Sequence, residues 1–457
     1  MASASSSAQT RVLVGLVLGA IVGSLVNTIT TPEPIPHRES FAAMFGNAMI
    51  PPPQQASWVG WVVKNITRPI GDLFMNLLFL PIIPLVFASL AVSVTRLSGA
   101  GGGAVGRIGM KMMVNFIITT LFAAVIGLTL VNTIQPGRFL PKEEQDALLA
   151  EFGNEATDKV QKRAEFGVNT FVSIVPRNPL EALIKKDMLA IIFTAILVGV
   201  GLTQIEASRA RPIVELLEGV NQIAEFCIKV AMWVAPVGVF CLIFSTSALF
   251  GVNFLYSLGA FVLTVLGGLA LHQFIVLPLI VYFLCGMNPI EFFRKVRITM
   301  VTAFSTSSSS ATLPTAIRNA ENDFGVPRPI ANFVLPLGAS MNHNGTALFE
   351  AVTVLFLAQV AGVHLSLEQQ LIVLVLCILT ATGMAGVPGG SLPLIGMVLA
   401  VVNVDPNLIG LVLGVDRILD MCRTTVNVTA DMTTALFVAR SERHRFAEVE
   451  SPANAAN

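Results

Sequence analysis

GVDRILDMCRTTVNVTADMTTALFVAR, residues 414–440, decides how the chain is read. At helical spacing, Asp416, Asp420, Arg423, Thr424, Asn427 and Asp431 fall within one arc of about 100°. Ile418, Leu419, Val426, Val428 and Met432 lie on the other faces. The surrounding sequence is apolar enough for a membrane span, and each ionisable group at bilayer depth costs about 3 kcal/mol on insertion scales. Three carboxylates and a guanidinium on one stripe therefore require partners: each other, a polar ligand or cations. An ion-pair network accounts for Asp420 and Arg423. It does not account for Asn427 and Asp431 continuing the same face, so substrate and ion binding is the better reading.

The whole chain supports a membrane setting. It is 54% hydrophobic and 12% charged, whereas soluble domains carry about 25% charged residues. The expected class is an all-α polytopic membrane protein. A formal net charge of zero offers no basic surplus for nucleic acid. The five cysteines lie in apolar segments without paired spacing, which reads as buried thiols.

Apolar stretches predict spans near residues 11–30, 66–95, 107–133, 189–204, 212–249 and 253–284. The first is too long for a signal-peptide core and reads as a span. Basic clusters follow the even-numbered spans: Arg96, Arg107 and Lys111; Arg209 and Arg211; Arg294, Lys295 and Arg297. With Arg440, Arg443 and Arg445 after the last helix, they place both termini in the cytoplasm. The hydrophilic excursion 137–186 and the Pro-rich segment 31–56 then face outward.

The last third departs from simple spans. Residues 289–304 run into six consecutive hydroxyl residues, Ser305 to Ser310, then Ala311-Thr312-Leu313-Pro314. Such a run cannot face lipid, and its arms are too short to cross, so a re-entrant hairpin fits. The pattern recurs over 366–403, where Thr382 to Ser391 interrupts an apolar run. After each hairpin comes a helix with an Asn-centred motif: Gly338 to Thr346, which breaks helix 328–359, and the stripe itself. A hairpin and a polar helix, twice, is the pattern of an inverted repeat, and the paired broken segments mark the binding site.

The residue chemistry follows. Half-helix N-termini and glycine-rich tips present backbone N–H groups to a carboxylate, with Ser308 and Gly389 among the tip residues counted as substrate-binding. Asp420 can accept from an ammonium group, and Arg423 can grip a second carboxylate bidentately. Together they describe a zwitterion with an acidic side chain. Asn342, Asn427, Asp431 and carbonyls of the 338–342 break supply oxygens for a hard cation such as Na+. His343 and Glu350 each read either as hydrogen-bonded bundle residues or as proton carriers. His272, in an apolar span, reads as structural, and Arg417 as a partner of Asp416 or of a lipid headgroup.

These motifs resemble the glutamate/neutral amino-acid transporter family, which holds the excitatory amino-acid transporters and the archaeal aspartate transporters. The resemblance rests on SSSSATLP (307–314), NHNGTALFE (342–350), AGVPGG (385–390), DRILDMCRTTVNVTAD (416–431) and Pro176-Arg177-Asn178-Pro179, and spans essentially the whole membrane part. It implies eight transmembrane helices plus two re-entrant hairpins, a homotrimer, and an elevator motion of a transport domain against a scaffold. Residues 1–104 and 137–252 would be scaffold. Residues 105–136 and 253–440 would form the transport side, and 441–457 a cytoplasmic tail. By the same resemblance, Ser309 and Val387 match backbone contacts to substrate, and Thr346, Asp420, Arg423, Thr424 and Asn427 side-chain contacts. Gly338, Asn342, Asn427 and Asp431 match one sodium site; Thr119, Thr120, Asn342 and Asn344 match another.

Some positions depart from the family pattern. The usual Asn-Met-Asp-Gly-Thr is here Asn342-His343-Asn344-Gly345-Thr346, which removes a negative charge from one sodium site. Glu350 matches the proton-carrying glutamate of eukaryotic members. The arginine usual at the first tip or after the second stripe aspartate is replaced by Ser307 and Met421. The resemblance thus implies a symporter of aspartate or glutamate in the cell membrane, with no cofactor and with Na+ and/or H+ as coupling ions. Proton coupling through Glu350 or His343 and reduced sodium dependence are expected. A C4-dicarboxylate:cation symporter and a substrate-gated channel remain alternatives. An intramembrane hydrolase would need a local Ser–His arrangement or a G-x-S-x-G elbow, and the chain has neither.

Overall fold

The computed structural model describes residues 2–30, 57–98, 104–140, 175–185, 188–384 and 389–449. The Pro-rich segment, most of the hydrophilic excursion and Val387 lie outside the described residues. Every regular element among the described residues is a helix. Among the described residues, five stretches are long and apolar enough to cross a membrane: Thr10–Thr30, Trp58–Thr95, Arg107–Phe139, Ala207–Ser245 and Leu255–Cys285.

Helix α1 (Ala2–Thr30) lies along α8 (Ala207–Leu271). Gly15, Gly19 and Gly23 form a small-residue stripe whose missing side chains let the two backbones meet. A Cβ on these glycines would stand 2.5–2.9 Å from the carbonyl oxygens of Pro236, Phe240 and Phe244. The second predicted span is a chain of pieces: α2 (Ser57–Val62), a π-helical turn, α3 (Arg68–Phe79) and α4 (Ile82–Ser98). Pro81 and Pro84 fall where α3 gives way to α4. Then follow α5 (Ala104–Ile134), α6 (Pro179–Lys185) and α7 (Met188–Gln204).

The fifth and sixth predicted spans, expected as separate helices over 212–249 and 253–284, run together in α8. The junction Phe250-Gly251-Val252 carries no proline and no turn pair to force a break. Beyond Leu271 the helix continues through two π-helical turns, His272–Val276 and Val281–Cys285, on either side of α9 (Leu277–Ile280).

Both hairpins form. In the first, Asn288 caps α10 (Pro289–Thr306) by accepting from the Ile290 N–H at 2.9 Å. Ser307 ends it in a left-handed conformation, φ 49°. Ser308 caps α11 (Ser309–Asn322), its hydroxyl accepting from the Ala311 N–H at 3.2 Å. In the second, a capping box of Ser366 and Gln369 starts α14 (Leu367–Gly383), and the chain returns through α15 (Ser391–Val401).

Between the hairpins lie α12 (Arg328–Met341) and α13 (Asn344–Val360), separated by Asn342 and His343 in non-helical conformations. The predicted break thus narrows to two residues. Every residue of α13 except Gln359 is buried, so it is the axis of the fold. Phe356 stacks on Phe261 of α8 with ring centroids 4.6 Å apart. The last helix, α16 (Leu413–Val449), packs against α10, α12 and α13 and carries the stripe.

Candidate functional site

The unwound residues 342–343, the start of α13, Gly389 before α15 and the middle of α16 converge. At the centre is Arg423, 1% exposed. Its Nη1 lies 3.0 Å from Asp416 Oδ1 and its Nη2 2.9 Å from Asp420 Oδ1. Only Nε meets hydrogen-bond geometry, donating to Asp420 Oδ1 at 3.0 Å. Both Nη atoms are thus held as ion pairs by the two carboxylates, off the ideal hydrogen-bond line. The guanidinium sits 4.2 Å over the Phe349 ring, which supports its charge from the apolar side.

Asp420 ties the stripe to the second tip. Its Oδ2 accepts from the Gly389 N–H at 3.3 Å. Arg417 also reaches Asp420, at 3.5 Å, whereas the sequence reading paired it with Asp416 or a lipid headgroup. The reason is geometric: three residues apart, the two side chains share a helix face, whereas neighbours 416 and 417 diverge by about 100°. Thr424 is buried on the same face.

Asn427 holds the broken helix to α16. Its Oδ1 accepts from the Gly345 N–H at 2.7 Å, and its Nδ2 donates to Thr346 Oγ1 at 3.1 Å. A Cβ on Gly345 would come within 2.6 Å of the Arg423 carbonyl oxygen, so no larger residue fits at this crossing. One turn further along α16, Asn342 Nδ2 donates to Asp431 Oδ1 at 2.8 Å, and Asn342 Oδ1 is buried without a partner. Gly338 packs directly on the Asp431 carboxylate. Gly338, Asn342, Asn427 and Asp431 are therefore brought together, with a carboxyl group and an unused amide oxygen, the ligand types that a hard cation takes.

Thr119 and Thr120 of α5 meet Asn344. Thr120 donates to Asn344 Oδ1 at 2.7 Å, while Thr119 is 3.5 Å from it and donates to the Asn115 carbonyl at 2.8 Å. His343 turns away, its Nδ1 2.8 Å from the Ala381 carbonyl of α14. Glu350 Oε2 accepts from the Thr380 hydroxyl at 2.6 Å, and its Oε1 is buried without a partner. Both proton-carrier candidates thus face the first arm of the second hairpin. Ser308 and Ser309 are buried at the first tip.

Three partners are not named by the sequence: Phe349 beneath Arg423, Thr380 on Glu350, and His272, whose Nε2 lies 3.4 Å from Asn344 Nδ2. Phe349 had a usable signal, since it directly precedes Glu350 in the NHNGTALFE motif. Thr380 and His272 come from distant helices and have none.

A helical membrane protein that buries a charged cluster beside a broken helix has a feature typical of carriers. The model of the sodium:dicarboxylate symporter family matches residues 9–441, and the chain belongs to that family, which is one of transporters rather than enzymes. The chain is 33% identical over 386 residues to the proton/glutamate-aspartate symporter of Escherichia coli, covering 84% of this chain and 87% of the relative. It is 34% identical over 380 residues to the proton/sodium-glutamate symport protein of Geobacillus stearothermophilus, covering 83% and 89%. Excitatory amino acid transporter 2 of Rattus norvegicus is 30% identical over 451 residues, covering 85% and 75%.

Proposed function

We propose that the protein is a secondary active symporter of acidic amino acids, aspartate or glutamate, coupled to Na+ and/or H+ in the cell membrane. The observation that carries this reading is the buried Asp420–Arg423 pair, whose Nη donors are off line and whose carboxylate faces the second tip. A zwitterion with a side-chain carboxylate satisfies both: its ammonium replaces the arginine as partner of Asp420, and its carboxylate takes the Nη fork. Ser308, Ser309, Gly389 and Val387 at the tips would meet the α-carboxylate through backbone N–H groups. Thr346, Thr424 and Asn427 would complete the polar lining. A plain dicarboxylate would leave Asp420 unmatched, which disfavours succinate.

Sodium would take the oxygens of Gly338, Asn342, Asn427 and Asp431. A proton would travel on Glu350 or His343, the two groups that hydrogen-bond α14. Eight crossings with both termini cytoplasmic, a homotrimer, and an elevator motion complete the reading. In it, residues 105–136 and 253–440 move against a scaffold of 1–104 and 137–252.

The test is exchange of labelled L-aspartate across proteoliposomes preloaded with unlabelled L-aspartate, L-glutamate or succinate. Stimulation by the two amino acids and not by succinate supports the reading. Succinate-stimulated exchange favours the dicarboxylate alternative, and flux indifferent to internal substrate favours a channel.

A further inference from the structure

Two of the polar clusters around the broken helix differ in kind. The one at Asp431 holds a carboxylate and an unpartnered Asn342 oxygen. The one at Asn344 holds no formal charge, and both ends of the amide are engaged. Asn344 Oδ1 already takes the Thr120 hydroxyl proton, and the Thr119 proton goes to the Asn115 carbonyl. The other end of the amide, Nδ2, can only donate, so His272 Nε2 accepts at 3.4 Å and the ring hydrogen is on Nδ1. With both ends held, the amide cannot turn its oxygen into a ring of cation ligands.

His272 is positioned for this by backbone geometry. It opens the π-helical turn His272–Val276, and both it and the adjacent Gln273 point inward, at 0% and 3% exposed. Insertions of this kind re-aim side chains and recur at functional sites. Gln273 Nε2 donates to Thr429 Oγ1 at 3.1 Å, fixing the turn to α16. The His272 Nδ1 is buried without a partner, an arrangement that structural packing alone does not favour.

We propose that Thr119, Thr120, Asn344 and His272 form a neutral hydrogen-bonded cluster that takes no sodium, and that His272 is the ion-selectivity residue that closes it. The inference rests on the carrier reading above and deepens it: the carrier moves one sodium fewer than a relative with a carboxylate at position 344. Restoring that carboxylate is not sufficient, because His272 in its other tautomer donates to it and keeps it engaged. Removing the imidazole as well frees the oxygens, and cation affinity follows ligand charge and number.

The test uses the full-length protein in proteoliposomes, measuring the ratio of 22Na+ to labelled L-aspartate flux. Asn344→Asp alone is expected to leave the ratio at the wild-type value, and Asn344→Asp with His272→Leu to raise it by about one sodium per aspartate. A raised ratio with Asn344→Asp alone removes His272 from the role. An unchanged ratio in the double variant removes the cluster from ion selection. Should the double variant bind but not transport, the rise in Tm of the purified variants in sodium chloride against choline chloride makes the same comparison. A larger rise for the double variant than for Asn344→Asp is expected, and equal rises overturn the proposal. Absence of any aspartate flux in wild type would sink the carrier reading, while the Tm comparison would still judge His272.

Discussion

Replacing Gly345 by alanine adds one methyl group where two helices touch through backbone. The new Cβ would stand 2.6 Å from the Arg423 carbonyl oxygen and 2.9 Å from its Cα, where ordinary contact begins at 3.4 Å. Neither atom is a side-chain end that can swing aside, so α13 must retreat from α16 by about 0.8 Å. Overpacking of this kind costs ~1–3 kcal/mol. The retreat also stretches the 2.7 Å bond from the Gly345 N–H to Asn427 and the 3.1 Å bond from Asn427 to Thr346. A buried donor left unsatisfied adds ~1–3 kcal/mol. If ~2 kcal/mol of this falls on the alignment of Thr346 and Asn427, aspartate binding weakens roughly 30-fold. Isothermal titration of purified Gly345→Ala with L-aspartate, alongside its Tm, reads both parts. An affinity within about threefold of wild type and an unchanged Tm would show that the crossing is not the tight one described.

Three further outcomes are expected. Arg423→Leu leaves Asp416 buried without its cation and Asp420 with Arg417 alone, a loss of ~3–5 kcal/mol. A sharply lowered Tm and no aspartate uptake are expected, and a variant as stable as wild type would contradict the pairing. Phe349→Leu removes the ring under the guanidinium, worth ~0.5–2 kcal/mol. It should weaken aspartate several-fold in a binding titration without altering the sodium response. Glu350→Gln keeps a hydrogen-bonding group against Thr380 but carries no transferable proton. Exchange of labelled aspartate should persist while accumulation driven by an inward proton gradient is lost; retained proton-driven accumulation excludes Glu350 as carrier.

Much of this site is legible in the sequence because a membrane penalises polar residues so heavily. A stripe such as Asp420–Asn427–Asp431 has few innocent explanations, and hydroxyl runs such as Ser305 to Ser310 cannot face hydrocarbon. The helix break is legible for the same reason, since the polar run Asn342-His343-Asn344 falls on it. The rest depends on which distant helices meet. His272 looks structural until Asn344 is seen beside it. Arg417 could be assigned to Asp416 by adjacency, yet helical geometry gives it to Asp420. The joining of the fifth and sixth apolar stretches in α8 was not legible because hydropathy reports composition, and composition does not record where a helix keeps its hydrogen bonds through a weak junction.

The decisive measurement is accumulation of labelled L-aspartate in proteoliposomes with an inward proton gradient or an inward sodium gradient imposed separately. A cation-coupled acidic amino-acid symporter with a neutral cluster at Asn344 and a carboxyl at Glu350 concentrates aspartate on the proton gradient alone. Vesicles that equilibrate aspartate but concentrate it under neither gradient would contradict symport, and vesicles that concentrate it only on sodium would contradict the proton assignment.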